Sequence, residues 1–419
     1  RGRRILFLFC AAWGMFDAAH ASGTRRNVIV ITADDLRPWL GCYGATFART
    51  PHLDRLAAQG ARFERAFVQQ AWCAPSRTSF FTSLRPDTTR VYDLETHFRA
   101  RVPDAVTLPQ LFKQHGYATA AFGKVFHETQ DDPPSWSVAP KRGGEHGGSR
   151  AYALAENREQ PAARKGYAGP TEIGPADDEA YPDGRLTTDA IRFLEEHQGQ
   201  PFFLNVGFFK PHLPFAAPAR YWEHYRRDEM ARFAYSEPPE GAPVQAFLFR
   251  TELHNYLGVP GPAEARALLP EAAIDLVHGY LACIAFVDAQ VGRLMAALDR
   301  LGLTENTIVV FWGDHGWKLG EFGQWSKNSV YDVDTRVPLL LHGPGIRRGV
   351  VSDSIVELID VYPTLADLAG IPVPRELDGA SFVQLLDHSK AGHKDAAFSQ
   401  VIRNDARGYT TYEGATWMG

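Results

Sequence analysis

Apolar runs that end abruptly in charged residues recur along this chain. Residues 27–33, Asn-Val-Ile-Val-Ile-Thr-Ala, form an unbroken β-branched run of the kind buried on both faces of a parallel sheet, and the run stops at Asp34-Asp35. Residues 117–122, 202–209, 307–312 and 337–341 repeat the theme as predicted strands. Helical spacing separates them. Thr50 caps a short helix with Pro51 at its first position, Leu53, Leu56 and Ala57 on one face, and Gly60 as its stop. A second helix has Thr107 as cap, Leu108, Leu111 and Phe112 inward, and Gly116 closing it. Helices are also predicted over 187–197, over about 270–302 from the spacing of Ile274, Val277, Tyr280, Leu281, Val291, Leu294 and Leu298, and over 355–369. Two stretches rich in Gly, Pro and charge, 129–184 and 211–262, are predicted as long surface excursions. No internal repeat is visible. Helices alternating with buried strands predict an α/β fold with a mostly parallel central sheet sandwiched by helices.

Length adds a bound, since 419 residues suffice for one large α/β domain plus a smaller piece. A net charge of −5 with dispersed Lys and Arg gives no basic field for nucleic acid. An anionic substrate must therefore be met by a local pocket. The first residues follow a secretory pattern: basic Arg1-Gly2-Arg3-Arg4, an apolar run over 5–16, and Ala19-His20-Ala21 as a cleavage site. The expectation is a signal peptide over 1–21, a catalytic domain over 24–392, and a secreted or periplasmic rather than lysosomal location, with no membrane span. Cys10 would leave with the signal. Cys42, Cys73 and Cys283 remain, an odd number that leaves at least one thiol unpaired or chemically used.

The chemistry gathers where the strands stop. In open α/β sheets ligands bind beyond the carboxyl ends of the strands. Four predicted strands end in reactive groups: Asp34-Asp35, Lys124 with His127, Lys210-Pro211-His212, and Asp314-His315. One such ending is an ordinary cap or turn. Four on one sheet edge make a site. Converging Asp side chains repel unless a cation lies between them, and an oxygen-rich set suits Ca²⁺ or Mg²⁺ better than zinc. Cys73 opens Cys73-Ala74-Pro75-Ser76-Arg77, where Pro75 and Ser76 mark the first turn of a helix whose free N–H groups favour an anion. Arg77 adds a fork suited to tetrahedral oxyanions. On the residues alone this is an activated thiol at a helix N-terminus beside an arginine.

Cys-x-Pro-Ser-Arg at 73–77 resembles the signature of the type I sulfatases, within the alkaline-phosphatase superfamily. The segments 34–38, 41–44, 85–90, 123–127, 210–215, 313–317 and 325–327 sharpen the likeness to the iduronate-2-sulfatase branch of that family. The resemblance implies that Cys73 is oxidised to formylglycine by a formylglycine-generating enzyme. It implies that Asp34, Asp35, Asp314 and His315, with an oxygen of modified residue 73, hold Ca²⁺ rather than Mg²⁺. Catalytic roles pass to Cys73, Arg77, Lys124, His127, His212 and Lys327. Arg77 and the metal favour the oxyanion that attacks sulfur, Lys124, Lys327 and His212 neutralise the sulfate, and His212 or Lys327 protonates the departing oxygen. His127 then helps to expel sulfate. The implied substrate is a sulfated oligo- or polysaccharide, with iduronate 2-sulfate units of heparan or dermatan type favoured and Arg99 and Arg101 proposed to meet a sugar carboxylate. Ser83 departs from the glycine that sulfatases commonly carry there. Residues 393–419 would begin a smaller C-terminal subdomain, cut short at Gly419. Two other functions fit the residues: a phosphate or phosphonate ester hydrolase of the same superfamily, and an inactive glycan-binding protein on the same fold.

Overall fold

In the computed structural model, the structure describes residues 25–418 apart from 129, 144–150, 160–166, 176, 233–238, 243–245, 247–250, 261–269, 374–376, 388–391 and 403–415. The expected signal segment lies outside the described residues.

Among the described residues there are twelve strands: β1 (Asn27–Ala33), β2 (Ala61–Phe67), β3 (Ala118–Gly123), β4 (Thr171–Gly174), β5 (Phe202–Phe208), β6 (Phe215–Pro218), β7 (Thr307–Gly313), β8 (Arg336–Val337), β9 (Leu339–His342), β10 (Val350–Glu357), β11 (Gln400–Ile402) and β12 (Thr416–Met418). The central sheet has eight strands in the order β10-β2-β9-β7-β1-β5-β3, with β8 also on β2. β7, β1, β5 and β3 run parallel, β10 runs parallel to β2, and β9 opposes both of its neighbours. The predicted mostly parallel sheet is therefore present. β1, β5 and β7 are buried at every position because helices cover both faces. Helices Pro51–Gln59, Pro182–His197 and Pro270–Arg300 close one apolar layer, and Cys73–Thr82, Leu108–Gln114 and Val361–Ala369 close the other. Pro270–Arg300 is long and apolar enough to cross a membrane, yet 78% of its most apolar window is buried inside the protein. It is the spine of one layer.

Some boundaries differ from the sequence reading, each for a tertiary reason. The helix expected from residue 187 begins at Pro182. Its Asp183 carboxylate turns inward to accept the amides of Phe209 and Lys210 at 2.9 and 3.0 Å, so a segment that reads as polar surface is buried. The helix expected over 355–369 begins only at Val361, because Val350–Glu357 pairs with β2 as a strand. The single strand expected over 337–341 is two, interrupted at Pro338, which has no N–H to give the ladder. β2 had no prediction; its Arg and Glu residues occupy the partly exposed positions between buried Ala61, Phe63 and Ala66. The two excursions meet, since β4 from the first pairs in parallel with β6 from the second. β11 and β12 form a separate antiparallel pair.

At the end of Cys73–Thr82, Ser83 takes the left-handed conformation (φ 55°) that favours glycine. Its hydroxyl donates to the carbonyl of Ile359 at 2.7 Å, which offsets part of that cost.

Candidate active site

Sheet order explains why the polar strand ends meet. β7, β1, β5 and β3 are consecutive neighbours, so the residues just beyond their carboxyl ends lie side by side. Asp35 has φ 62°, a left-handed turn that brings the second carboxylate back into the cluster. Its amide donates to Asp314 Oδ1 at 3.0 Å, which ties the β1 end to the β7 end.

Cys73 begins its helix against this edge, and Ser76 Oγ donates to the Asp314 carbonyl at 2.5 Å. The buried Sγ lies 3.2 Å from His315 Nε2 and 3.5 Å from each of Asp34 Oδ1, Lys124 Nζ and Lys327 Nζ. Burial and Asp34 push the thiol up. Lys124, Lys327 and His315 outweigh them and bring it down to about 7. A nucleophile at this position is thus surrounded by positive charge.

Arg77 is fully buried. Its Nε donates to Asp314 Oδ2 at 2.9 Å, its Nη2 lies 3.5 Å from Asp34 Oδ1, and its Nη1 donates to the carbonyls of Lys124 and Val125. Lys124 Nζ pairs with Asp34, and Lys327 Nζ with Asp35 Oδ1 at 2.7 Å. Burial alone would raise Asp34, but Lys124, His212, Arg77 and Lys327 hold it well below the usual carboxylate range. Asp314 moves the other way, to about 7, because it is buried and faces the Asp34 charge. Arg77, Lys124 and Lys327 thus pair with the carboxyl groups of Asp34, Asp35 and Asp314 beside Cys73.

Asp34, Asp35, Cys73 and His315 each offer a donor atom within 4.8 Å of the others. Asp314 borders this group through its contacts with Asp35, Arg77 and His315. Asp35 Oδ2 is buried with no hydrogen-bond partner. A buried carboxylate oxygen left unpaired is costly, and a cation is one group that satisfies it.

His212 follows β5. Its Nδ1 bonds the carbonyl of Leu213 at 2.6 Å, while Nε2 lies 3.3 Å from Glu252 Oε2 and 3.9 Å from Asp35 Oδ2. Burial would lower this imidazole, yet Glu252 and the two Asp residues raise it to about 9. His127 behaves oppositely. Burial and Lys124 drive it down to about 3, and its Nδ1 is buried without a partner.

Asp34, Asp35, Cys73, Arg77, Lys124, His212, Asp314, His315 and Lys327 join one network of contacts, and His127 is near enough for the charges of Lys124, Asp34 and Arg77 to act on it; Arg99 and Arg101 stand apart. Arg99 is engaged elsewhere, paired with Asp132 at 2.8 and 2.9 Å and bonded to Gln110 and the carbonyls of Pro103 and Ala105. It shapes its own turn and is not available to a sugar. Arg101 is exposed beyond the same turn. Conversely, Glu252 went unread. It comes from the second excursion, in a turn (Glu252–Asn255) with no apolar period to flag it. The loop carrying Lys327 is held by a second feature that went unread: Asp334 accepts Lys318 Nζ and Ser329 Oγ, and Lys318 N donates to Ser326 O at 2.9 Å.

A family model described as Sulfatase matches residues 26–371. The chain is 36% identical over 431 residues to human iduronate 2-sulfatase, covering 91% of this chain and 76% of that protein. It is 29% identical over 426 residues to a sulfatase of Formosa agariphila, covering 94% and 80% respectively. Its fold matches that of a phosphonate monoester hydrolase of Agrobacterium radiobacter with a TM-score of 0.76 at 24% identity, over 92% of this chain and 82% of that one. At that identity the likeness concerns architecture alone.

Proposed function

The chain belongs to the sulfatase family, whose reaction is sulfate-ester hydrolysis, and from that premise we propose that it desulfates a carbohydrate, with iduronate-type uronate 2-sulfates as the substrate class. One observation carries the reading: Sγ of Cys73 lies within 3.5 Å of a carboxylate, an imidazole and two ammonium groups that follow three separate strands, β1, β3 and β7. The 36% identity to human iduronate 2-sulfatase supports the sugar class.

The family implies a divalent metal, and the residues fit one. Asp34, Asp35, Asp314 and His315 would hold it together with residue 73, and Asp35 Oδ2 is a donor that no hydrogen bond occupies. The carboxylate-rich set favours Ca²⁺. When bound, the ion supplies Lewis-acid charge compensation at the sulfate. In its formylglycine form residue 73 supplies, as a hydrate, two hydroxyls on one carbon.

The chain's own side chains do the rest. Lys124 and Lys327 flank the nucleophile position and neutralise sulfate oxygens as charge develops. Arg77 fixes the carboxylates of Asp34 and Asp314. The proton for the departing sugar oxygen comes from Lys327 Nζ or from His212 Nε2, which faces Glu252 while its Nδ1 hydrogen is committed to Leu213. His127, kept neutral by burial beside Lys124, is the acceptor for the proton lost when sulfate leaves. A formylglycine-generating enzyme is the proposed maturation partner. An exported location is proposed from the Arg1 to Ala21 pattern.

Tryptic mass spectrometry of the Cys73 peptide, after co-expression with a formylglycine-generating enzyme, tests this together with an assay on 4-methylumbelliferyl iduronide 2-sulfate. Thiol-to-aldehyde conversion with sulfate release supports the proposal. Conversion without release on this substrate reopens the sugar. An unmodified thiol that hydrolyses phosphate esters overturns the reaction class.

A further inference from the structure

We propose that Glu252 is a positioning residue for this reaction, its carboxylate fixing the His212 imidazole and the Lys327 ammonium in the orientation that faces the departing oxygen. The inference rests on the sulfatase reading and deepens it.

His212 and Lys327 come from different elements, the end of β5 and the loop after β7. Glu252 comes from a third and touches both, with Oε2 at 3.3 Å from His212 Nε2 and 3.8 Å from Lys327 Nζ. The imidazole is held at both ends. A carbonyl can only accept, so Nδ1 at 2.6 Å from Leu213 O carries a hydrogen, and the remaining nitrogen points at the Glu252 carboxylate. The turn bearing Glu252 is itself anchored, because Leu253 and His254 are buried and Thr251 N donates to His254 Nδ1 at 2.9 Å. Glu252 keeps 25% of its side chain exposed and is not a member of the metal-ligand group.

Electrostatics sharpen the assignment. A carboxylate at the mouth of an anion site opposes sulfate binding. Its presence is explained by what it does to the two cations beside it. Removing it should therefore separate binding from turnover, which general structural damage would not do.

The test uses Glu252→Gln and Glu252→Ala in the formylglycine-converted chain, with aryl sulfates graded from 4-nitrophenyl to phenyl. General-acid assistance is worth most when the leaving group is poor. Turnover of phenyl sulfate should fall about 10- to 100-fold, that of 4-nitrophenyl sulfate should change little, and KM should hold or fall for both. Bound calcium per chain and the melting temperature should match the parent. Equal losses along the series, or a rise in KM with kcat intact, overturn the proposal alone. A parent chain inert toward these esters and toward 4-methylumbelliferyl iduronide 2-sulfate removes the underlying reading, and the proposal with it.

Discussion

Two buried charge clusters lie near the same sheet, and only one is closed. At the β10 end, Glu357 accepts both terminal nitrogens of Arg85 at 2.7 and 2.6 Å, Lys394 Nζ at 2.7 Å and the amide of Phe398 at 2.9 Å. Asp360 accepts the amides of Glu357 and Ala380, both at 2.8 Å, with Lys394 Nζ at 2.6 Å and His393 Nε2 at 3.2 Å. Each of these carboxylate oxygens is satisfied. The cluster around Cys73 has comparable charges, yet Asp35 Oδ2, Arg77 Nη2 and His127 Nδ1 are buried without hydrogen-bond partners. Native proteins rarely leave such atoms unpaired, and those that remain call for a ligand, an ion or chemistry. Residual bonding capacity, more than charge density, separates a site from a staple.

The comparison breaks most visibly at the nucleophile. Cys73→Ala should lower turnover roughly 10⁴-fold or more while the melting temperature stays close to the parent's, because a small side chain is lost from a folded scaffold. Initial rates on the fluorogenic sulfate beside a thermal scan check it, and hydrolysis at the parent's rate would show that residue 73 is not the nucleophile. Next in size is Asp35→Asn. Weakening an open carboxylate should reduce calcium affinity about 100-fold and abolish the calcium-induced rise in melting temperature, read by titration calorimetry and by scans with and without chelator.

Glu357→Ala should do the reverse. It strands Lys394 and Arg85 at a partly buried site, and a loss of about 2–3 kcal/mol is expected in urea unfolding, with kcat/KM per folded molecule within about threefold of the parent. Arg85 and Lys394 hold the folded-state pKa of Glu357 below its ordinary value despite burial. Its stabilisation is therefore complete above the unfolded carboxylate pKa and is lost as pH falls through the folded one, so parent and variant should converge in acid. A variant that keeps its stability but loses turnover would dissolve the distinction between the clusters.

How much of this was legible follows from how local each signal is. Asp34-Asp35, Asp314-His315 and Cys73 to Arg77 stand directly against apolar runs or a helix start, so their place at the sheet edge could be read from neighbours in sequence. Glu252 owes its place to packing of a Pro-rich segment against residues about 40 and 75 positions away. No periodicity encodes that. The misread helix over 355–369 fails in a related way. Ile355, Leu358, Ile359 and Tyr362 keep helical spacing, and only the parallel pairing of β10 with β2 decides that the chain stays extended to Glu357.

Asp288 supplies the smallest and finest test. It is a buried carboxylate on Pro270–Arg300 that accepts the amides of His52 and Leu53, at 3.1 and 2.8 Å from Oδ1, and so caps Pro51–Gln59 in place of Thr50, whose side chain makes no cap bond. Backbone amides without a nearby cation do not outweigh burial, and the carboxyl is pushed up to about 7. Native Asp288 therefore holds its proton more tightly than the unfolded chain does. The parent should lose stability as pH rises from about 4 to about 7, by at most about 1.4 kcal/mol per pH unit, and should level off above. Asp288→Asn removes the titration and keeps one acceptor, so its stability should be flatter over that window, measured as urea midpoints at fixed salt. Identical slopes in parent and variant would mean that Asp288 stays ionised, satisfied by two amides as fully as Glu357 is by its cations. Closure would then need no counter-charge at all, and between these two clusters it is the unpaired atoms that would tell the open one from the closed.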